Sequence, residues 1–328
     1  MWFVYKLSEG EEEKVKELNH DGTHTYSLGT TITYEQFRKI WTACYRTGCI
    51  VDDSNVFKGI EKLYCYAYMS QGIKVYLHGK PGKLYRLRIQ IEPCRVLGSS
   101  DATAVASLNK KQYKELVKTA DKMLRKLEIS QSIDAMKISR CDLTINIYFS
   151  TEEELMEYLR IFKKSLLIPH YSRVFFKKND QKTNDWKTAN NHSHCISCKS
   201  ASFLIYDKIA QLEMIDRCDD TLLDKHILRL EAELKRPALK KHLGKTAMET
   251  NYKILSSAAK NARNVIRWYI DRLQPRGNTI RYEDAVDLIS STKMKAKTRE
   301  RMLYLLRKAS DSDDLSSALK KMQNATLS

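Results

Sequence analysis

A tyrosine two residues ahead of a lysine, Tyr206 and Lys208 in the run Ser202–Lys208 (SFLIYDK), is the stretch where chemistry is most legible. In an extended strand side chains alternate faces, so Ser202, Leu204, Tyr206 and Lys208 point one way and Phe203, Ile205 and Asp207 the other. A phenol with an ordinary pKa near ~10 attacks a phosphodiester at neutral pH only when a cation or metal favours its phenolate. Lys208 is the cation this spacing offers. Two further runs sort in the same way. In Ser139–Phe149, Cys141, Leu143, Ile145, Ile147 and Phe149 share one face, and Arg140, Asp142, Thr144, Asn146 and Tyr148 the other. In Leu228–Lys235, Leu228, Leu230, Ala232 and Leu234 oppose Arg229, Glu231, Glu233 and Lys235. If these strands share a sheet, its polar face gathers a phenol with Asp142, Glu231 and Glu233, whose hard oxygens suit Mg²⁺ or Mn²⁺ and a metal-dependent phosphodiester chemistry. The competing reading is plain pairing of these acids with Arg140, Arg229 and Lys235 across strands, worth ~0.2–1 kcal/mol per exposed pair.

The same three cations are candidate DNA contacts, as are His192 and His194 in the polar stretch ahead of the tyrosine strand. His192, His194, Cys195 and Cys198 also invite a zinc reading. Four ligands within seven residues rarely close a tetrahedron, and no second Cys/His pair is spaced to complete one. A histidine reaching the catalytic metal is a second alternative, and a polar loop touching DNA is the better expectation.

The elements that must hold these residues read as an α+β fold: a mainly antiparallel sheet with helices on one face and the other face free for a ligand, followed by a helical C-terminal region. The periodicity predicts a helix over Tyr34–Tyr45 capped by Thr33, and a meander of strands through Leu63–Met69, the run from Ile73 and Tyr85–Pro93. A second helix spans Asn109–Leu127, and a third opens at Ser150 with Glu153 and Glu154. Residues 1–30 are weakly patterned apart from a first strand at Trp2–Leu7. The expected division is a catalytic unit over 1–245 and a basic, helical, DNA-binding region over 246–328, where RYEDAVDLI and TRERMLYLLRKA flank the connector KMKAK. Such a pair of helices suits either a helix-turn-helix reader or packing on the core.

The composition, 42% hydrophobic and 30% charged, is that of a globular chain, with no apolar run near the ~20 residues that span a bilayer. Its net charge of +17 points to a polyanion, and the stretch from Lys235 to Ser328 carries 21 Lys and Arg against 9 Asp and Glu. Nucleic acid is the expected partner. The N-terminal run has no secretory pattern, so the eight cysteines are expected to be reduced thiols in a cytoplasm. No GxxxxGK[ST] string is present to support an ATPase.

Four strings in order, IQIEPCRVLG (Ile89–Gly98), ISRCDLTINI (Ile138–Ile147), FLIYDKIAQLE (Phe203–Glu213) and LRLEAELKRPALKKHLG (Leu228–Gly244), resemble the gene II type replication initiators of filamentous phages and their plasmid relatives. More distantly they resemble the rolling-circle Rep and relaxase group. The resemblance covers about residues 85–275 and implies Tyr206 as nucleophile followed by Lys208, with Asp142 and Glu231 binding a divalent metal or holding the site. It implies a protein that cuts one strand at a replication origin, keeps a 5′-phosphotyrosyl link, leaves a 3′-OH for the host polymerase and reverses the transesterification without ATP. Origin DNA, a host helicase and a host polymerase are the implied partners. A non-catalytic DNA-binding regulator and a mobilisation relaxase are the alternatives. The group's paired histidines flank a bulky apolar residue, whereas His192 and His194 flank Ser193.

Overall fold

The computed structural model describes residues 21–47, 50–52, 63–69, 71–79, 85–165, 167–174, 192–215, 217–273 and 282–310. Its strands are β1 (Asp21–Ile32), β2 (Ile50–Asp52), β3 (Leu63–Met69), β4 (Ile73–Gly79), β5 (Tyr85–Ile91), β6 (Lys137–Phe149), β7 (Ser172–Arg173), β8 (Ser193–Ser197), β9 (Ala201–Asp207) and β10 (His226–Lys235). They form one sheet in the order β2-β3-β4-β5-β1-β6-β10-β9-β8-β7, and every neighbouring pair is antiparallel. The three strands with polar faces are therefore adjacent, with β10 between β6 and β9. The expected meander is β3-β4-β5.

The helices are α1 (Tyr34–Arg46), α2 (Pro93–Val96), α3 (Lys110–Arg125), α4 (Glu152–Lys163), α5 (Lys208–Met214), α6 (Arg236–Leu243), α7 (Asn251–Leu273), α8 (Tyr282–Ser291) and α9 (Ala296–Ser310). Local chemistry fixes their starts. Thr33 with Gln36 and Asn109 with Gln112 form reciprocal capping boxes at α1 and α3. Thr151, one residue past the expected Ser150, caps α4 by accepting from the Glu154 amide. The apolar stripes of α1, α3, α4, α6 and α7 share one core with Tyr26, Leu28, Ile89, Cys141, Leu143, Phe203, Ile205 and Leu230 of the sheet. Phe203 stacks on Tyr269 with ring centroids 4.7 Å apart and planes 8° apart.

Two expectations change. First, α7 lies beyond the expected boundary at residue 245, yet ten of its side chains are buried and it packs on β6, β1 and β10. Its small residues Ala258, Ala259 and Ala262 let it lie close to the sheet, so it shares the sheet's core. Helices α8 and α9 pack on each other, and α9 buries none of its side chains. Second, the sheet's other face is only partly free. Thr23 and Ala106 exchange two 2.9 Å backbone hydrogen bonds, which lay the segment after α2 across the sheet. Beside it Ile209, Leu212 and Leu222 close on Ile227 as a second, smaller core. The strand expected at Trp2–Leu7, most of the loop ahead of β8 and the tail after Ser310 lie outside the described residues.

Gly22 is the contact point of that roof, since a Cβ there would stand 2.6 Å from the Ala106 carbonyl oxygen. The Gly22→Ala variant is expected to lose about 1–3 kcal/mol in urea denaturation, because rigid backbone leaves the methyl no room. Gly29→Ala, whose Cβ would meet nothing closer than 3.9 Å, is the control.

Candidate active site

Register decides which polar side chains meet. On β10, Glu233 stands opposite Asp142 and Ser202, Glu231 opposite Thr144 and Leu204, and Arg229 opposite Asn146 and Tyr206. Tyr206 and Glu231 are diagonal neighbours, and the phenol donates to Glu231 Oε2 at 3.0 Å. Tyr206 is 2% exposed, yet its hydroxyl ends at a carboxylate beside a cavity of about 610 Å³ rather than in hydrocarbon. One carboxylate oxygen from each of Asp142, Glu231 and Glu233 lies within 4.8 Å of the others. The phenol and the three acids named from alternation alone thus stand together.

This trio fits a hard divalent cation. All its donors are carboxylate oxygens, and Asp142 Oδ1 is buried with no hydrogen-bond partner among the described residues. The other oxygen of Asp142 accepts from the Thr25 hydroxyl and from Arg140 Nη2, the latter at 2.8 Å. Arg140 also lies 3.7 Å from Glu233, so it is the counter-ion of the acids. A bound Mg²⁺ or Mn²⁺ would polarise a phosphate oxygen and offset charge developing on it.

The surroundings set protonation. Burial and the Glu231 carboxylate push the Tyr206 phenol well above its usual value, while Arg229 pulls it down. Lys208 does not continue the strand. Asp207 caps α5 by accepting from the amides of Ile209 and Ala210, and Lys208 is that helix's first residue. It still lines the tyrosine's cavity, with its ammonium donating to Gln211 Oε1 at 2.7 Å. Burial, then the charge of Arg229, pushes its pKa well below the lysine range. Arg229, whose guanidinium keeps its charge, is 0% exposed. Its Nε donates to Asn146 Oδ1 at 2.8 Å and its Nη2 to the Thr103 carbonyl of the roof.

The DNA contacts expected from sequence fare unevenly. Arg140 faces the cavity. Arg229 is buried under the roof and cannot touch DNA from the surface; it lies beside the phenol instead. His194 is buried on β8 opposite Ile205, on the packed side of the sheet, because its neighbour Ser193 is the residue in register with Tyr206. His192 approaches Asp207 Oδ2 at 3.4 Å, and the Lys235 ammonium donates to the Lys199 carbonyl. Consecutive strand residues His194 and Cys195 point to opposite faces, which removes the zinc reading.

The chain matches no protein-family model and no curated protein. No helix among the described residues is long and apolar enough to cross a membrane.

Sequence reasoning missed His24 and Thr25, both on β1. His24 Nδ1 lies 3.9 Å from Glu231 Oε2, and burial, then Arg229, pushes its imidazole well below the usual value, so this contact is not an ion pair near neutral pH. Thr25 is opposite Asp142 in register. The only local signal was Tyr26 and Leu28 two residues apart.

Burial, against the pull of Arg140, pushes the Asp142 carboxyl up to about 7. An unfolded Asp titrates near ~3.9, so the folded chain keeps a proton that the unfolded chain has lost. This contribution to stability is complete below about pH 4 and is lost as the pH rises through about 7. A divalent cation competes with that proton. Mn²⁺ is therefore expected to raise the melting temperature more at pH 8 than at pH 6, and Asp142→Asn should remove most of the difference in a fluorimetric melt.

Proposed function

We propose that this protein is a metal-dependent DNA strand transferase that nicks and rejoins single-stranded DNA through Tyr206. The observation that carries the reading is the 3.0 Å hydrogen bond from the phenol to Glu231, inside a trio of carboxylates suited to Mg²⁺ or Mn²⁺. Glu231 is within reach of the proton that must leave. In the forward step the Tyr206 oxygen bonds to phosphorus, its proton passes to Glu231 and the phosphorus–O3′ bond breaks. The 3′ oxygen takes a proton from water, leaving a 3′-OH and a 5′-phosphotyrosyl link. In reverse a 3′-OH displaces the tyrosine. Because the link conserves the phosphodiester, no nucleotide hydrolysis is needed. Arg229, fixed by Asn146 and Thr103, stabilises charge on the phenolic oxygen.

The assignment to a replication origin, and with it rolling-circle initiation alongside a host helicase and polymerase, rests on the resemblance of the four ordered strings. The net charge of +17 supports a nucleic-acid substrate. A labelled single-stranded origin oligonucleotide with Mg²⁺ or Mn²⁺ tests the chemistry. A denaturation-resistant protein–DNA adduct supports strand transfer, and retarded mobility without cleavage would instead make the protein a DNA-binding regulator on this fold.

A further inference from the structure

The cavity that holds Tyr206 extends to a part of the sheet that the chemistry does not use. Its far end is lined by Lys74 and Tyr76 of β4 and Arg88 of β5. Alternation there sends Ile73, Val75, Leu77, Leu87, Ile89 and Ile91 into the core and leaves the polar face with Lys74, Tyr76, His78, Arg86, Arg88 and Gln90. The basic character continues across the sheet. Gly29 of β1 separates Arg88 from Lys137 of β6, and Ser27 separates Gln90 from Arg140. Arg86, Arg88 and Lys137 are exposed. Strands β4 and β5 contain no Asp or Glu, and the first carboxylate past them is Glu92, which Lys74 and Arg95 approach at 3.9 Å.

Two properties of this face identify its occupant. The excess of cations over carboxylates calls for a polyanion. The Arg88 guanidinium lies over the Tyr76 ring with its carbon 4.0 Å from the centroid, while the Tyr76 hydroxyl donates to Gln90 at 3.2 Å. That gives a flat, fixed stacking platform, which an unpaired base can use and a base inside a duplex cannot. From β4 to β9 there are five inter-strand steps, about 24 Å at ~4.8 Å each, a span that a few nucleotides cover.

We propose that the polar face of β4, β5, β1 and the start of β6 is a lane for single-stranded DNA, with Arg86, Arg88 and Lys137 on successive phosphates and a base stacked on the Tyr76–Arg88 pair. That the lane ends at the scissile phosphate rests on the strand-transfer reading; that it binds a single strand does not.

Fluorescence anisotropy of a labelled 20-nucleotide single strand on full-length Tyr206→Phe protein tests it. Arg86→Ala with Arg88→Ala is expected to weaken binding at least about tenfold and to flatten the log–log salt dependence by about 1.4, the ~0.7 per phosphate contact of a single strand. Tyr76→Phe should bind like the parent and Tyr76→Ala several-fold more weakly. Lys111→Glu with Lys114→Glu on α3, exposed on the helical side, should change little. Unchanged binding by the β5 pair, or a larger loss from the α3 pair, overturns the lane. If the β5 pair weakens binding but no adduct forms at Tyr206 in the wild type, the lane stands and strand transfer falls. If the adduct forms while the β5 pair binds normally, the reverse holds.

Discussion

Tyr206→Phe should lower covalent attachment to a single-stranded substrate by at least about 10³-fold while leaving affinity for that strand within about threefold. The substitution removes one oxygen. The ring stays packed at 2% exposure, and the substitution forfeits the hydroxyl's polar contacts, the 3.0 Å hydrogen bond to Glu231 among them. The expected stability cost is about 1 kcal/mol, far short of unfolding the domain. Binding and chemistry therefore separate in this variant. A radiolabel-transfer assay measures the adduct and anisotropy the affinity. Adduct formation at the parental rate would mean that another residue attacks.

Glu231→Gln has the next largest effect. Glutamine keeps the size of the side chain and can still accept from the phenol, but it lacks the charge that a divalent cation and the departing proton both need. Mn²⁺ affinity, followed by the loss of its free electron-paramagnetic-resonance signal, should fall at least about tenfold, and the adduct rate at least about 10²-fold. The metal-free protein should melt no lower than wild type, because the substitution removes one of three carboxylates crowded within 4.8 Å of one another. A variant that unfolds and one that has lost its metal site are thus told apart. Parental Mn²⁺ binding by Glu231→Gln would take this residue out of the ligand set.

The site was legible where one face of a strand is oil and the other is not. In β6, β9 and β10 that contrast put Tyr206, Asp142, Glu231 and Glu233 on a common face, and the register then made them neighbours. Where the contrast fails, so did the reading. Strand β1 sits between β5 and β6 and supplies His24 and Thr25, yet Tyr26 and Leu28 are its only large apolar residues between Asp21 and Thr31, and two register shifts against β6 break its alternation. Lys208 was placed on the strand because Tyr-x-Lys matches a period of two; the cap supplied by Asp207 turns the chain into a helix one residue earlier. Arg229 reads as a surface cation from its alternation with Leu228 and Leu230. Its burial depends on the Thr103 carbonyl, which comes from a segment more than a hundred residues away that no local pattern connects to it. Helix α7, which carries Trp268 and Tyr269, fell within the basic region expected from residue 246 onward, whereas its alanines and its stack on Phe203 carry it into the core.

The central claim is that one phenol, at position 206, takes the phosphate. Incubating the full-length protein with a labelled oligonucleotide and Mn²⁺, digesting the adduct with trypsin and locating the nucleotide by mass spectrometry tests this directly. The modified peptide should contain Ala201–Lys208, with the added mass on Tyr206. A nucleotide mapped to any other tyrosine, or to none, would contradict it.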